Sequence, residues 1–281
     1  TDSGGFQVFS QKDLRKITEE GVKFKSSYDG ETRFLTPEIC VEIQETLGVD
    51  MEMALDECIE WPAERDAVAK STQRTTRWLK RCQAARTRPE RTALLGIVQG
   101  TSYPDLRQYC AEALIEMDLP GYAIGGVSVG EGHELLCRIT EHTAPLLPEE
   151  RPRYLMGVGL PEDLLAAIGY GIDLFDCVIP TRYARSATVF TARGRIRLPQ
   201  RRYRRAAYPI DVSCECYACK DGAFSRAYLH HLFAANEVLS AILCSIHNVH
   251  FYQGMMAQAR EAIRGGGFDS WRRDFLGAYG A

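Results

Sequence analysis

The chain has 281 residues, of which 25% are charged, and its formal net charge is −3 at pH 7. This length can bury a large core as one α/β domain or two smaller ones, and the near-balanced charge identifies no class of partner. The sequence shows no signal-peptide pattern and no apolar run long enough to cross a membrane. We therefore expect a cytoplasmic protein whose ten cysteines are free thiols or metal ligands.

Short apolar runs alternate with helical stretches along most of the chain. Six runs predict strands that end in polar or glycine residues: one ending at Asp2, then 51–55, 93–98, 122–124, 154–156 and 172–175. Helices are predicted between these strands, at 63–86, at 104–117, from His133 and from Pro161. Strict alternation of this kind is typical of a parallel sheet covered by helices.

A hairpin and a helix are predicted before the second of these strands. Two β-rich runs, 22–24 and 32–35, flank the turn sequence Tyr28-Asp29-Gly30. The sequence Thr36-Pro37-Glu38 then predicts a helix start, with Thr36 as the cap and Pro37 in the first turn.

The pattern changes after Asp176. A short β excursion is predicted at 189–198 around Gly194, and one long helix is predicted from about Ser225 to Arg264. We divide the chain into a first portion at 1–188, a β-rich insert with three cysteines at 189–224, and a helical segment at 225–281.

Polar residues recur at the carboxyl ends of the predicted strands, which is where a (β/α)8 barrel builds its active site. The predicted fold is therefore α/β, a (β/α)8 TIM barrel at 1–188, followed by a subdomain near the carboxyl terminus that the cysteine pattern described next predicts to bind zinc. Only six of the eight strands are recognised, and we expect the first two to precede residue 1. An open doubly wound sheet is the alternative.

Three cysteines close together form the most specific pattern in the chain. Cys214, Cys216 and Cys219 supply three thiolates, which with a distant histidine suit one tetrahedral, structural zinc ion. A Cys214–Cys216 disulfide would be strained. Spacing alone leaves the fourth ligand open among His230, His231, His247 and His250.

Two aspartates, Asp2 and Asp176, follow predicted strands. A pair of carboxylates suits displacement at a sugar anomeric carbon, because one attacks while the other handles protons. A single aspartate after a strand more often caps a helix or a loop than takes part in catalysis.

Further polar groups are expected at the same edge of the sheet. Asp56 could accept hydrogen bonds from a guanine-like base, and Gln99 could both donate and accept. The backbone of Gly125-Gly126 could approach a ring carbonyl, although a tight turn explains this pair equally well. Several arginines lie close to the cysteine cluster in sequence. They form either an ordinary solvated surface or a face that binds phosphates. They are Arg182, Arg185, Arg201, Arg202, Arg204 and Arg205.

Longer motifs extend from the first residue almost to the last. They are TDSGGFQ at 1–7, DEC at 56–58, GIVQG at 96–100, GGVSVGE at 125–131, YLMGVG at 154–159, FDCVIPTR at 175–182, the cysteine cluster, YLHH at 228–231 and IHN at 246–248. In this order they resemble the queuine tRNA-ribosyltransferase family, the tRNA-guanine transglycosylases, and specifically its bacterial branch.

The resemblance implies a role for each matching residue. Asp176 matches the nucleophile that attacks C1′ of guanosine at the wobble position, and Asp2 matches the general acid and base. His247 matches the fourth zinc ligand. Arg182 and Arg185 match residues that contact the anticodon loop. The base pocket is implied to comprise Ser3, Phe6, Asp56, Cys58, Gln99, Gly125, Gly126, Val127 and Met156.

The resemblance also implies the substrates. Guanine 34 of tRNAs with a GUN anticodon is exchanged for 7-aminomethyl-7-deazaguanine (preQ1), by a homodimer without a membrane partner. The alternatives are a related enzyme that uses queuine and a non-catalytic tRNA-binding partner subunit. In one departure, this chain has Ser186-Ala187 where the family usually has Asn or Phe followed by Gly.

Overall fold

The computed structural model describes residues 1–5 and 15–280. They form two compact units, one made of Thr1–Val158 with Ala166–Asp176 and the other of Gly159–Leu165 with Cys177–Ala281. The division into 1–188, 189–224 and 225–281 stays a prediction. In the described part of the chain, no helix combines the length and the apolar character needed to span a bilayer.

A small antiparallel sheet opens the first unit. Its strands β1 (Arg15–Ile17), β2 (Val22–Lys25) and β3 (Thr32–Leu35) pair in that order. The predicted hairpin is the β2–β3 connection, and helix α1 (Pro37–Leu47) follows it. The Thr36 hydroxyl accepts a hydrogen bond from the Ile39 N–H at 3.3 Å, so the predicted cap is confirmed.

Five parallel strands form the centre of the first unit. They are β4 (Met51–Met53), β5 (Ala93–Val98), β6 (Gly121–Ile124), β7 (Arg153–Leu155) and β8 (Leu174–Phe175), and each pairs with the next. Helices lie between them in sequence: α2 (Arg65–Ala85), α3 (Pro104–Ile115), α4 (His133–Thr143) and α5 (Pro161–Gly169). This order of parallel strands and helices confirms the TIM-barrel prediction.

Alternate residues of these strands form one apolar cluster. Met53, Leu95, Ile97 and Ala123 are buried in it, and Met156 packs against them. Successive strand residues point to opposite faces, so the cluster marks one face of the sheet. Polar residues beyond the strand ends lie next to this face.

Residues 1–5 include only the last two positions of the strand predicted to end at Asp2, which therefore stays a prediction. The amino group of Thr1 donates to the Met51 carbonyl at 2.9 Å. One such bond places the segment beside β4 but is too little for a strand ladder.

The second unit begins with helix α6 (Ile179–Arg185) and the predicted β excursion. The excursion is confirmed as the antiparallel pair β9 (Thr188–Thr191) and β10 (Gly194–Arg197). Helices α7 (Arg226–Ala234), α8 (Val238–Arg264) and α9 (Phe268–Tyr279) complete the unit. The core of the unit contains Val189, Leu198, Leu229 and Leu243.

The prediction of a single helix from Ser225 to Arg264 is wrong, because residues 235–237 interrupt it and separate α7 from α8. Asn236 has a φ of 56° there, a conformation that asparagine tolerates better than most residues. The Glu237 N–H donates to the Leu232 carbonyl at 2.9 Å, and the Asn236 N–H donates to Phe233 at 3.2 Å. This pair of bonds is a Schellman motif, which ends α7.

Candidate active site and metal centre

A buried acid and a buried amide lie together after β4 and β5. The Gln99 side chain donates from Nε2 to Oδ2 of Asp56 at 2.6 Å. Burial raises the pKa of Asp56 to about 6, and the bond from Gln99 opposes this rise. The pair therefore offers carboxylate and amide oxygens as acceptors in a largely dehydrated place.

Two glycines after β6 approach this pair closely. A Cβ atom on Gly125 would lie 2.7 Å from Nε2 of Gln99, and one on Gly126 would lie 2.6 Å from its Oε1. Gly126 also has a φ of 64°. The tight turn therefore needs glycine at position 126, and the Gln99 side chain leaves no room for a Cβ atom at either position. The approach of this backbone to a ring carbonyl stays a prediction.

The segment at the start of the chain lies beside Asp56. Gly5 is buried against the Asp56 carboxylate, and the Ser3 hydroxyl accepts from the Gly5 N–H at 3.2 Å. The exposed Asp2 carboxylate is near enough to add to the rise in the pKa of Asp56. Phe6, the other pocket residue of this segment, lies outside the described residues.

Three more residues of the implied pocket are found in the first unit. Cys58 is buried, and burial raises the pKa of its thiol to about 12, so it stays neutral. Val127 is buried directly after the glycine pair. Met156 follows β7 and packs on the apolar cluster of the sheet.

Asp176, directly after β8, is held through one of its oxygens. Oδ1 accepts from the Tyr154 hydroxyl at 2.7 Å and from the Gly157 N–H at 2.9 Å. Burial raises the pKa of Tyr154 well above its usual value, and the neighbouring charges of Asp176 and Asp2 add to this rise. The tyrosine therefore keeps its proton and remains a hydrogen-bond donor to Asp176. The charge of Asp2 also acts on it, so Tyr154 lies near both aspartates.

In the second unit, the three cysteines and His247 meet. The Nδ1 atom of His247 lies 3.6 Å, 3.5 Å and 3.3 Å from the sulfurs of Cys214, Cys216 and Cys219. Tetrahedral zinc with ordinary bond lengths would hold nitrogen and sulfur about 3.6 Å apart. The four ligand atoms thus have the spacing of a group that could hold a metal ion.

Contacts behind the cluster orient His247. Its Nε2 lies 2.6 Å from the Phe190 carbonyl, which can only accept, so Nε2 carries the proton and Nδ1 presents its lone pair to the thiols. The neighbouring Asn248 donates to the carbonyls of Pro180 and Thr188 at 2.9 Å and 3.1 Å, and accepts from the Phe190 N–H at 3.1 Å.

The other histidines do not join this cluster. His230 contacts the Leu198 carbonyl at 2.9 Å through Nδ1, while His231 and His250 are exposed. Among the four histidines that spacing left open, the structure brings His247 to the thiols.

Comparison with known proteins gives the same assignment as these two sites. The family model described as queuine tRNA-ribosyltransferase matches residues 1–281. The chain belongs to the queuine tRNA-ribosyltransferase family. A protein of that name from Symbiobacterium thermophilum is 51% identical over 276 residues, which cover 98% of this chain and 68% of the relative. Another from Acetivibrio thermocellus is 52% identical over 280 residues, covering 100% of this chain and 74% of the relative.

The queuine tRNA-ribosyltransferase motif around Arg182 and Arg185 lies on α6. Both arginines are exposed in its last turn, where positive charge is favoured by the helix dipole. Ala187, in the position where the family usually has glycine, has a φ of 62°. Its N–H still donates to the Ala184 carbonyl at 3.0 Å and ends the helix.

Replacing Ala187 by glycine is expected to raise the free energy of unfolding by about 1 kcal/mol, because a left-handed conformation is costly for alanine and not for glycine. Urea denaturation would measure the change. The control is Ala184→Gly within the same helix, which should lower the free energy of unfolding by about 1 kcal/mol. Equal destabilisation by both glycines would contradict the prediction.

Tyr154 was not among the residues singled out from the sequence. Its position could have been found from register, since Tyr154 pairs with Leu174 across β7 and β8 and Asp176 lies two residues further on the same face. That register is a property of the sheet, and the local sequence around Tyr154 does not contain it.

Proposed function

We propose that this chain exchanges guanine at position 34 of GUN-anticodon tRNAs, those for Asp, Asn, His and Tyr, for preQ1 through a covalent intermediate on Asp176. As a member of its family, the chain is a tRNA-guanine transglycosylase, a pentosyltransferase. The observation that carries the finer proposal is the position of Asp2. Its charge acts on Asp56, which suits base recognition, and on Tyr154, which holds Asp176.

Base recognition follows from the acceptors and donors of the pocket. The Asp56 carboxylate would accept from the N1 and N2 hydrogens of guanine, and the backbone N–H of Gly126 would donate to the ring carbonyl. Gln99 is already fixed by Asp56, so its free carbonyl oxygen is aimed before the base arrives. The deazaguanine base presents the same edge and would use the same contacts.

The chemical step is a double displacement. The target guanosine must leave its stack to reach the site. Oδ1 of Asp176 is occupied by Tyr154 and Gly157, which leaves Oδ2 to attack C1′. The bond from C1′ to N9 breaks and its electron pair stays on guanine. The step requires Asp2 in its protonated form, which delivers its proton to the leaving base and becomes a carboxylate.

The second displacement reverses the first with a different base. Asp2 removes the proton from preQ1, whose nitrogen attacks C1′ and displaces the Asp176 carboxylate. Two inversions retain the configuration at C1′. Because one pocket binds two bases in turn, ping-pong kinetics are expected.

The second unit would serve the RNA and hold a structural ion. Cys214, Cys216, Cys219 and His247 would bind one zinc ion, and four protein ligands leave no position for a reacting water. Arg182 and Arg185 would contact the phosphates beside the target nucleotide. The assembly that we propose is a homodimer.

The proposal is tested with the whole chain, unmodified tRNA bearing a GUN anticodon, and radiolabelled guanine. Label should enter the RNA, and unlabelled preQ1 should displace it irreversibly while queuine does not. The same tRNA with adenosine at position 34 is the control and should stay unlabelled. RNA binding without exchange would indicate a non-catalytic subunit, and displacement by queuine would contradict the choice of preQ1.

The affinity for guanine is expected to fall about tenfold per pH unit below pH 6 and to be constant above pH 7. The base needs the ionised form of Asp56, whose pKa is about 6 in the folded chain. Inhibition constants for free guanine between pH 4.5 and 8 would measure this. Asp56→Asn is the control, since it should bind weakly with no such pH dependence.

The same group predicts the opposite trend for folding. The pKa of Asp56 is higher in the folded chain than its ordinary value of 3.8, so the folded state holds the proton more tightly. This contribution to stability is present below about pH 4 and is lost as the pH rises through 6. At pH 7, Asp56→Asn should therefore unfold at a higher temperature than the unsubstituted chain.

A further inference from the structure

Arg107, on α3, is a buried cation whose side chain donates to backbone carbonyls. Its side chain is about 1% exposed, and no ion pair in the described part of the chain includes it. Burial lowers its pKa to about 10, so the guanidinium stays charged at neutral pH. Burying a charge costs free energy unless hydrogen bonds compensate for the lost water, so the contacts of Arg107 must supply that compensation.

The guanidinium joins the segments that follow β5 and β6. Nε donates to the Thr101 carbonyl at 2.6 Å, while Nη2 donates to the carbonyls of Gly125 and Gly126 at 3.1 Å and 3.3 Å. Arg107 thus binds, from one side, the loop after Gln99 and the glycine pair that packs on Gln99.

These bonds fix the direction of two backbone donors. In a trans peptide the C=O and the following N–H point in opposite directions. Since the carbonyls of Gly125 and Gly126 point to Arg107, the N–H groups of Gly126 and Val127 point away from it. The N–H of Gly126 is near enough to the buried Cys58 thiol to favour its ionised form, which places this donor on the side of the implied pocket.

The loop that Arg107 holds is strained. Thr101 has a φ of 46°, which is unfavourable for a β-branched residue and persists only where neighbouring contacts impose it. The short bond from Nε of Arg107 to Thr101 is such a contact. Without it, the loop would be free to relax and the spacing between Gln99 and the glycine pair would change.

We propose that Arg107 is a positioning residue that aims the N–H groups of Gly126 and Val127 at the ring carbonyl of the bound base, and so sets the preference of the pocket for purines with an oxygen at that position. The inference rests on the proposed function, because it assumes that guanine binds beside Asp56. Arg107 acts through the backbone and does not touch the base.

The test compares guanine with 6-thioguanine, which keeps both hydrogens that face Asp56 but replaces the ring oxygen by a weaker acceptor. In Arg107→Lys and Arg107→Gln the preference for guanine over 6-thioguanine should fall about tenfold, the effect of one misdirected hydrogen bond. Lysine keeps the charge but cannot join the four carbonyls to which Arg107 donates, those of Val98, Thr101, Gly125 and Gly126, so it should not rescue the preference. Arg138→Gln, an exposed arginine on α4, is the control.

The outcomes separate three cases. Equal weakening of both bases in the Arg107 variants, or no weakening, would overturn the positioning role. Failure of the unsubstituted chain to bind guanine would overturn the proposed function itself. A second measurement needs no substitution: guanine should slow hydrogen exchange at the Gly126 and Val127 amides more than 6-thioguanine does, and equal protection by the two bases would also overturn the inference.

Discussion

Replacing Asp176 by asparagine is expected to lower base exchange at least about 1,000-fold, because an amide cannot act as the attacking group. The fold should survive, since the amide oxygen of asparagine can still accept from the Tyr154 hydroxyl and the Gly157 N–H. Incorporation of labelled guanine into tRNA would measure the loss. Denaturing gels should also show no protein–RNA adduct for the variant.

The matched control for this substitution is Asp173→Asn. Asp173 precedes the same strand, β8, and its carboxylate accepts from the Arg153 N–H at 2.9 Å, so the change in charge and size is the same. Exchange should stay within about twofold of the unsubstituted chain, as for most surface substitutions. If Asp176→Asn exchanged guanine at the normal rate, Asp176 would lose the role of nucleophile.

Removing one ligand of the metal centre is expected to lower the melting temperature of the second unit by about 10 °C or more. Structural zinc contributes its binding free energy directly to folding, and this greatly exceeds an ordinary core contact. The thiols of Cys216 and Cys219 are buried in the core of the unit, and that of Cys214 packs against it. Three thiolates this close would repel one another unless a cation neutralised them. Thermal denaturation and metal analysis of Cys219→Ala would measure both effects.

Cys244→Ala is the control for this experiment. Cys244 is fully buried in the same core but is not one of the four ligands, so the substitution removes an equal volume. It should keep one zinc ion per chain and cost only about 1–2 kcal/mol. A Cys219→Ala variant that matched this control in metal content and melting temperature would exclude a structural zinc site there.

The sequence was sufficient for the order of β4 to β8 and of the helices between them, but not for β1, for α6 or for the ends of most elements. Alternating apolar runs and helix caps such as Thr36 predict strands and helices because they depend on nearby residues. The interruption between α7 and α8 was not predicted, because a single asparagine such as Asn236 is a weak indication of a helix end. The hydrogen bonds that end α7 are between backbone groups, which every residue carries.

The candidate site shows the same limit. The spacing of the cysteines predicted three thiol ligands but left four histidines as candidates for the fourth ligand. His247 is oriented by its contact with the Phe190 carbonyl, which the spacing does not reveal. The contact between Gln99 and Asp56 joins residues 43 positions apart, and the bonds of Arg107 depend on two loops meeting. Local sequence thus supplied the chemical groups, while the sheet determined which of them meet.

The adjacent residues His247 and Asn248 on α8 connect the proposed metal site to the helix of the proposed RNA contacts. His247 would hold the ion, and Asn248 donates to the carbonyls of Pro180, at the start of the helix that carries Arg182 and Arg185, and of Thr188, the first residue of β9 after that helix. The pocket residues around Asp56 belong to the other unit. Under this proposal, a chain without zinc would lose the position of the arginine helix but keep the contacts of the base pocket. Cells starved of zinc are therefore expected to contain chains that bind the free base but not tRNA, and undermodified tRNA would be an early sign of zinc shortage.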